Sequence, residues 1–138
     1  MNDALIDRAV MPAEKSEQLL QTISTWENTT TIILHGGSVF EFKGIFPKGE
    51  SAQGFYNLKG DSGFEGHLNL EKVKGIAFQS KLHRGKESHA FVFEDEKGQC
   101  IFKIFLGRDQ HGELHPSQKK QYLALQQQYN NGATPWKT

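Results

Sequence analysis

Two histidines stand at the edges of strand-like apolar runs. His35 closes Thr29-Thr30-Thr31-Ile32-Ile33-Leu34, and His67 sits between Gly66 and Leu68. Neutral imidazole is a borderline ligand that suits iron, zinc and copper. At the rim of an apolar β-surface it suits a flat, apolar, metal-bearing guest. The two positions lie far apart in the chain, so only a sheet can bring them together. A hairpin-end histidine that merely satisfies a hydrogen bond is the commoner arrangement, and residue types alone leave both readings open.

The other side chains that could do chemistry offer less. His111 and His115 have the i, i+4 spacing of a helical zinc motif, but Gly112 and Pro116 interrupt a helix there. His83 and Arg84, flanked by Lys81, Gly85 and Lys86, read as an exposed basic loop. Arg108 follows an apolar run within Gly107-Arg108-Asp109. It reads either as a turn residue or as a planar fork of donors for an acidic ligand group. The chain has no nucleophile elbow and no glycine-rich phosphate loop, and its carboxylates form no evident acid–base couple.

Composition narrows the classes further. The 138 residues fit one domain spanning 1–138, with its core over about 14–129. Sixteen Lys+Arg balance sixteen Asp+Glu, without the basic excess of a nucleic-acid binder. Cys100 is the single cysteine and sits in an apolar strand-like run, which excludes an internal disulfide and a cysteine-based metal cluster. No apolar run approaches the ~20 residues needed to span a bilayer as a helix. The N-terminus has no charged segment followed by an apolar one, so the chain reads as cytoplasmic.

The elements that must position these residues are an N-terminal helix, an antiparallel sheet and a C-terminal helix. Residues 1–13 read as an arm or short helix. Leu19, Leu20, Ile23 and Trp26 recur on one face of a helix over Glu14–Trp26. From Thr29 to Leu106 the pattern is antiparallel β-structure. Thr29–His35 and Ser38–Lys43 are joined by Gly36-Gly37, which supplies the positive φ angles of a two-residue hairpin turn. Pro47-Lys48-Gly49 and Lys59–Gly63 read as turns, and Gly54–Leu58, Phe64–Leu70 and Ile76–Gln79 as strands. Ser88–Glu94 and Gln99–Leu106 form a hairpin whose second strand is apolar on both faces, so it belongs at the centre of a covered sheet. Pro116 opens the final helix, Tyr122, Leu125 and Tyr129 form its apolar stripe, and Gln126–Gln128 its solvated face. Asn130-Asn131-Gly132 ends it with a left-handed cap, and 133–138 are a loose tail.

An ordered series of motifs adds a resemblance. Thr30–His35, Val39-Phe40-Glu41-Phe42-Lys43-Gly44, Pro47-Lys48-Gly49, Gly54-Phe55-Tyr56-Asn57-Leu58, Gly66-His67-Leu68, Ile76-Ala77-Phe78 and Phe102–Asp109 occur in this order. The series, over about 16–126, resembles the ChuX/HutX-like haem-utilisation carriers. The resemblance implies an α+β fold with a large antiparallel β-sheet and an N-terminal and a C-terminal helix packed on it, assembled as a homodimer. It implies a cytoplasmic, non-catalytic carrier that accepts imported haem (iron protoporphyrin IX) and stores or delivers it. His35 and His67 are the implied iron contacts. Arg108 at the rim would meet the propionates, and proteins of haem uptake or degradation would be its partners. A haem-degrading enzyme and a dimerisation domain that binds no haem are the alternatives. The chain departs from many relatives in starting directly at the helix before the first strand. It also carries His83 within Lys81–Ser88 and His89 just after it, which leaves further ligands open.

Overall fold

The computed structural model describes residues 5–130. Its nine strands are β1 (Leu5–Pro12), β2 (Thr29–His35), β3 (Ser38–Gly44), β4 (Lys48–Ala52), β5 (Phe55–Lys59), β6 (Gly66–Leu68), β7 (Gly75–His83), β8 (Lys86–Glu94) and β9 (Cys100–Leu106). Two α-helices, α1 (Ser16–Ile23) and α2 (Pro116–Tyr129), flank the run from β2 to β9. Six strands form one antiparallel sheet in the order β1-β7-β8-β9-β2-β3, and β4-β5-β6 form a second. The fold is α+β, as expected.

Alternation of side chains decides what the large sheet faces. Phe78, Phe91, Ile104 and Thr31 are register partners across β7, β8, β9 and β2, and all four are buried. Ile76, Phe93 and Phe102 form the neighbouring row, where Phe93 and Phe102 stack with ring centroids 4.4 Å apart. Leu19, Leu20 and Ile23 of α1, Tyr56 and Leu58 of β5, and Tyr122 of α2 complete this core. The helices and the small sheet therefore share one face of the large sheet. The opposite face carries Ile32, Leu34, Val39, Lys103 and Phe105. Further along it Ala77, Ala90 and Val92 are buried as well, so β9 is central, as its doubly apolar pattern requires.

Three expectations need correction. Residues 5–12 are a strand paired with β7, and only positions 1–4 of the expected arm lie outside the described residues. The expected turn at Pro47–Gly49 is the entry to β4, because the chain reverses later, at Gln53-Gly54, with φ of 56° and 84°. Gly49 serves close packing instead: a Cβ there would lie 2.7 Å from the Tyr56 ring. Lys81–Ser88 is no loop, since β7 and β8 run through it to a tight Arg84-Gly85 turn. Helix α2 buries Gln118 and Tyr122 completely, while Leu125 and Tyr129 are half-buried. The expected cap at 131–132 and the tail lie outside the described residues.

Candidate functional site

Bonding partners sort the histidines. His89 is buried on the inner face: its Nδ1 is hydrogen-bonded to Ser80 Oγ at 2.8 Å, and Nε2–H donates to Glu87 at 2.6 Å. Glu87 also receives Lys119 at 2.9 Å. The hydrogen bonds from His89 and then Lys119 hold its carboxyl below the ordinary carboxylate range. His115 donates to Asn28 Oδ1 at 2.6 Å and lies 3.9 Å from Glu27. Both rings are committed to holding α2 and its approach against the sheet. Their imidazoles are used inside the fold.

His35 stands differently. Gly36 and Gly37, with φ of 59° and 77°, close the β2–β3 hairpin beside it and force a direct reversal. Register puts Ile33 opposite Phe40 and Leu34 opposite Val39, so His35 shares its face with Ile33 and, diagonally, Phe40. Ile33, Leu34, Val39 and Phe40 are 41–58% exposed. Within the described residues no hydrogen bond or ion pair engages either ring nitrogen of His35. An unbonded imidazole thus sits on a hairpin tip that is apolar on both faces.

His67 lies on the outer face of the small sheet, opposite Asn57 of β5. Its Nδ1 is 2.6 Å from Asn57 Oδ1, and its ring meets Phe55 edge-on with centroids 6.1 Å apart. Its Nε2 has no partner among the described residues. Register between β5 and β6 makes the Asn57–His67 pair, which nothing in the one-dimensional pattern signals. Phe42 of β3 packs on Phe64, two residues before β6, at 4.4 Å, and this joins the two sheets near the site. No hydrogen bond or ring contact among the described residues links His35 to His67.

Arg108 is at the other end of β2 from His35, because Leu106 pairs with Thr29. Along six residues of strand that separation is about 20 Å. Its guanidinium donates to the Gly112 carbonyl at 3.1 Å and to the Glu87 carbonyl, while Asn28 Nδ2 donates to the Arg108 carbonyl at 3.1 Å. These bonds make Gly107–Asp109 an ordered turn. Arg108 also lines a cavity of about 530 Å³ on the outer face of the large sheet. Ile32, Leu34, Val39 and Phe105 give that cavity an apolar floor, with Lys43, Lys81, Lys103 and the exposed His83 around it. The larger groove of about 950 Å³, beside Leu70, Val73 and Ile101, contains no histidine.

Among the described residues, no group of three or more His, Cys, Asp or Glu side chains is placed to hold a bare metal ion, and no helix is long and apolar enough to cross a membrane. Two imidazoles with an open ring nitrogen, His35 on an exposed apolar hairpin and His67 on the small sheet, mark the candidate site on this α+β scaffold. The chain belongs to the haem utilisation ChuX/HutX family, whose sequence model matches residues 9–125. It is 43% identical over 122 residues to the intracellular heme transport protein HutX of Vibrio cholerae. That match covers 88% of this chain and 63% of HutX, so the chain spans less than two thirds of that relative. A crystal structure of a protein from Erwinia carotovora superposes with a TM-score of 0.81 at 32% identity, covering 88% of this chain and 75% of the other. The heme binding protein ChuX superposes with a TM-score of 0.78 at 30% identity, covering 87% and 76%.

Proposed function

We propose that this chain is a non-catalytic haem carrier of the cytoplasm, acting as a homodimer that accepts imported haem and stores it or hands it on to proteins of haem uptake or degradation. One observation carries the reading: an imidazole without a bonding partner among the described residues stands on a hairpin whose four large apolar side chains are 41–58% exposed. Exposed apolar surface concentrated beside such a ligand is unusual for a soluble domain and matches a flat porphyrin in shape and chemistry. Membership in a haem-utilisation family, and the roles of HutX in heme transport and of ChuX in heme binding, point the same way.

The residues present fit the cargo. Ile33, Phe40 and Phe55 offer apolar cover, and His35 and the Nε2 of His67 offer the axial bonds. Arg108, with donors beyond its two carbonyl contacts, and Lys43 and Lys103 line the opposite face of the large sheet from His35, so they offer cations to the propionates of a haem whose iron is held by another copy. His35 and His67 stand on different sheets; they serve one iron together, ligate iron separately, or meet across a dimer. The single haem-carrier domain covers the chain, with its core over about 14–129.

Titration of haemin into the parent, His35→Ala, His67→Ala and the double variant, followed at the Soret band, tests this. Loss of one axial imidazole is expected to weaken binding at least about tenfold, roughly 1.4 kcal/mol. Equal binding by the double variant and the parent would remove both histidines from the site.

A further inference from the structure

We infer that Asn57 is a positioning residue that fixes the tautomer of His67 and so determines which ring nitrogen is offered to a metal. The inference rests on the proposed role of His67 as an iron contact. It adds the group that prepares the ring.

The argument starts from the Asn57 amide. Its Nδ2 lies within hydrogen-bond distance of three backbone carbonyls: Ala52 at 3.2 Å, Phe55 at 3.3 Å and Glu50 at 3.4 Å. Carbonyl oxygens only accept, so the end of the amide that faces them is the NH₂. The opposite orientation would set Oδ1 against three other oxygens. With NH₂ fixed in the β4–β5 hairpin, Oδ1 is the atom that meets His67 Nδ1, at 2.6 Å. An amide oxygen also only accepts, so Nδ1 carries the proton. In the neutral ring the lone pair then resides on Nε2.

Two further observations place that lone pair where it can be used. His67 is exposed, and its Nε2 has no partner among the described residues. The edge-on Phe55 ring at 6.1 Å, on the same strand face as Asn57, limits how the imidazole turns. A metal-ligating histidine ordinarily gives its other N–H to an acceptor, which orients the ring and makes it a stronger donor. Here that acceptor is built into the protein before any metal arrives. Among the described residues His35 has no such acceptor, so the two histidines are unequal: His67 is oriented in advance and His35 is not.

Nitrogen-15 long-range correlation spectra of the unloaded full chain test the inference at a pH where His67 is neutral. The parent is expected to show the Nδ1–H tautomer. Asn57→Ala should return the ring to the Nε2–H form that neutral imidazole prefers in water, and Asn57→Asp, which keeps an accepting oxygen, should retain Nδ1–H. After loading with haem, Asn57→Ala should bind about tenfold more weakly or worse. Its ferrous iron–histidine stretch should fall in frequency, and Asn57→Asp should not lower it. A parent spectrum showing Nε2–H overturns the inference, whatever the variants do. So does an unchanged tautomer in Asn57→Ala. If instead His67→Ala binds haem like the parent with the same spectrum, the iron-contact reading falls while the tautomer result stands on its own.

Discussion

Replacing Gln118 with leucine tests how the end of the large sheet is tied to helix α2. Gln118 is fully buried on α2. Its Oε1 accepts from the Gly107 N–H at 2.8 Å, and its Nε2 donates to Glu27 at 2.9 Å and to the Asn28 carbonyl at 3.0 Å. The side chain thus joins the end of β9 to the start of β2. Leucine nearly conserves volume but satisfies none of the three groups. The Glu27 carboxylate stays in water and counts for little, its side chain being 55% exposed. The Gly107 N–H and the Asn28 carbonyl are left without this partner, at about 1–3 kcal/mol each. Setting about 1 kcal/mol of apolar burial against this leaves a loss of about 3 kcal/mol. For a chain of this length that lowers Tm by about 10 °C. Urea unfolding followed by circular dichroism reads it as a lower midpoint at an unchanged slope. Gln118→Glu keeps the acceptor for Gly107 but sets an anion against Glu27, so it should also destabilise, and less so as acid protonates the pair. A Gln118→Leu protein within about 0.5 kcal/mol of the parent would refute the claim that this amide ties the elements together.

Other outcomes follow from particular contacts. Gly49→Ala, whose Cβ would lie 2.7 Å from the Tyr56 ring and 2.8 Å from the Asn57 carbonyl oxygen, should lose about 1–3 kcal/mol in thermal unfolding. Glu87 has its pKa depressed by His89 and Lys119. Its stabilisation is therefore complete above the unfolded carboxylate value near 4.3 and is lost as pH falls through the lower folded value. Glu87→Gln should flatten that part of the stability–pH curve, as measured by urea midpoints below pH 5. Burial raises the Cys100 thiol above its ordinary value, so iodoacetamide should alkylate it more slowly at pH 8 than a cysteine in an unfolded peptide. Arg108→Ala removes two clasps on carbonyls and should lower Tm even without haem, a shift that calorimetry of the unloaded chain detects.

Periodicity was sufficient for most of the scaffold. The 3.6-residue apolar spacing of Leu19, Leu20 and Ile23 located α1, and the Gly36-Gly37 pair located the β2–β3 hairpin to the residue. It failed where strands lack the apolar residues that mark them: β4 is Lys48-Gly49-Glu50-Ser51-Ala52, largely exposed, and holds its place through pairing with β5. β1 was missed because a mixed composition next to Pro12 suggests an arm, whereas long-range pairing with β7 makes it a strand. Gln118 defeated a rule of thumb, since glutamine on a helix reads as solvated until a partner 90 residues away appears. At the candidate site, His35 and His67 could be chosen by type and flanking residues. The open ring nitrogens of His35 and His67 among the described residues, the Asn57 bond that orients His67, and the commitment of His89 and His115 became visible only with the register of the sheets.

The bare β2–β3 hairpin also has a consequence for how the unloaded chain behaves in concentrated solution. Among the described residues β3 is the outermost strand of its sheet and has no partner on its far edge, which it presents together with Val39 and Phe40. That combination invites strand-to-strand association, moderated only by the charges of Glu41 and Lys43 further along. Cover over those side chains, whether a bound guest or a second copy, would protect the chain from its own stickiness. A light-scattering series of the unloaded chain should therefore show association rising with concentration, and exchanging Phe40 for lysine should suppress it. The proposed receptivity to an apolar guest and the expected association would arise from the same few side chains.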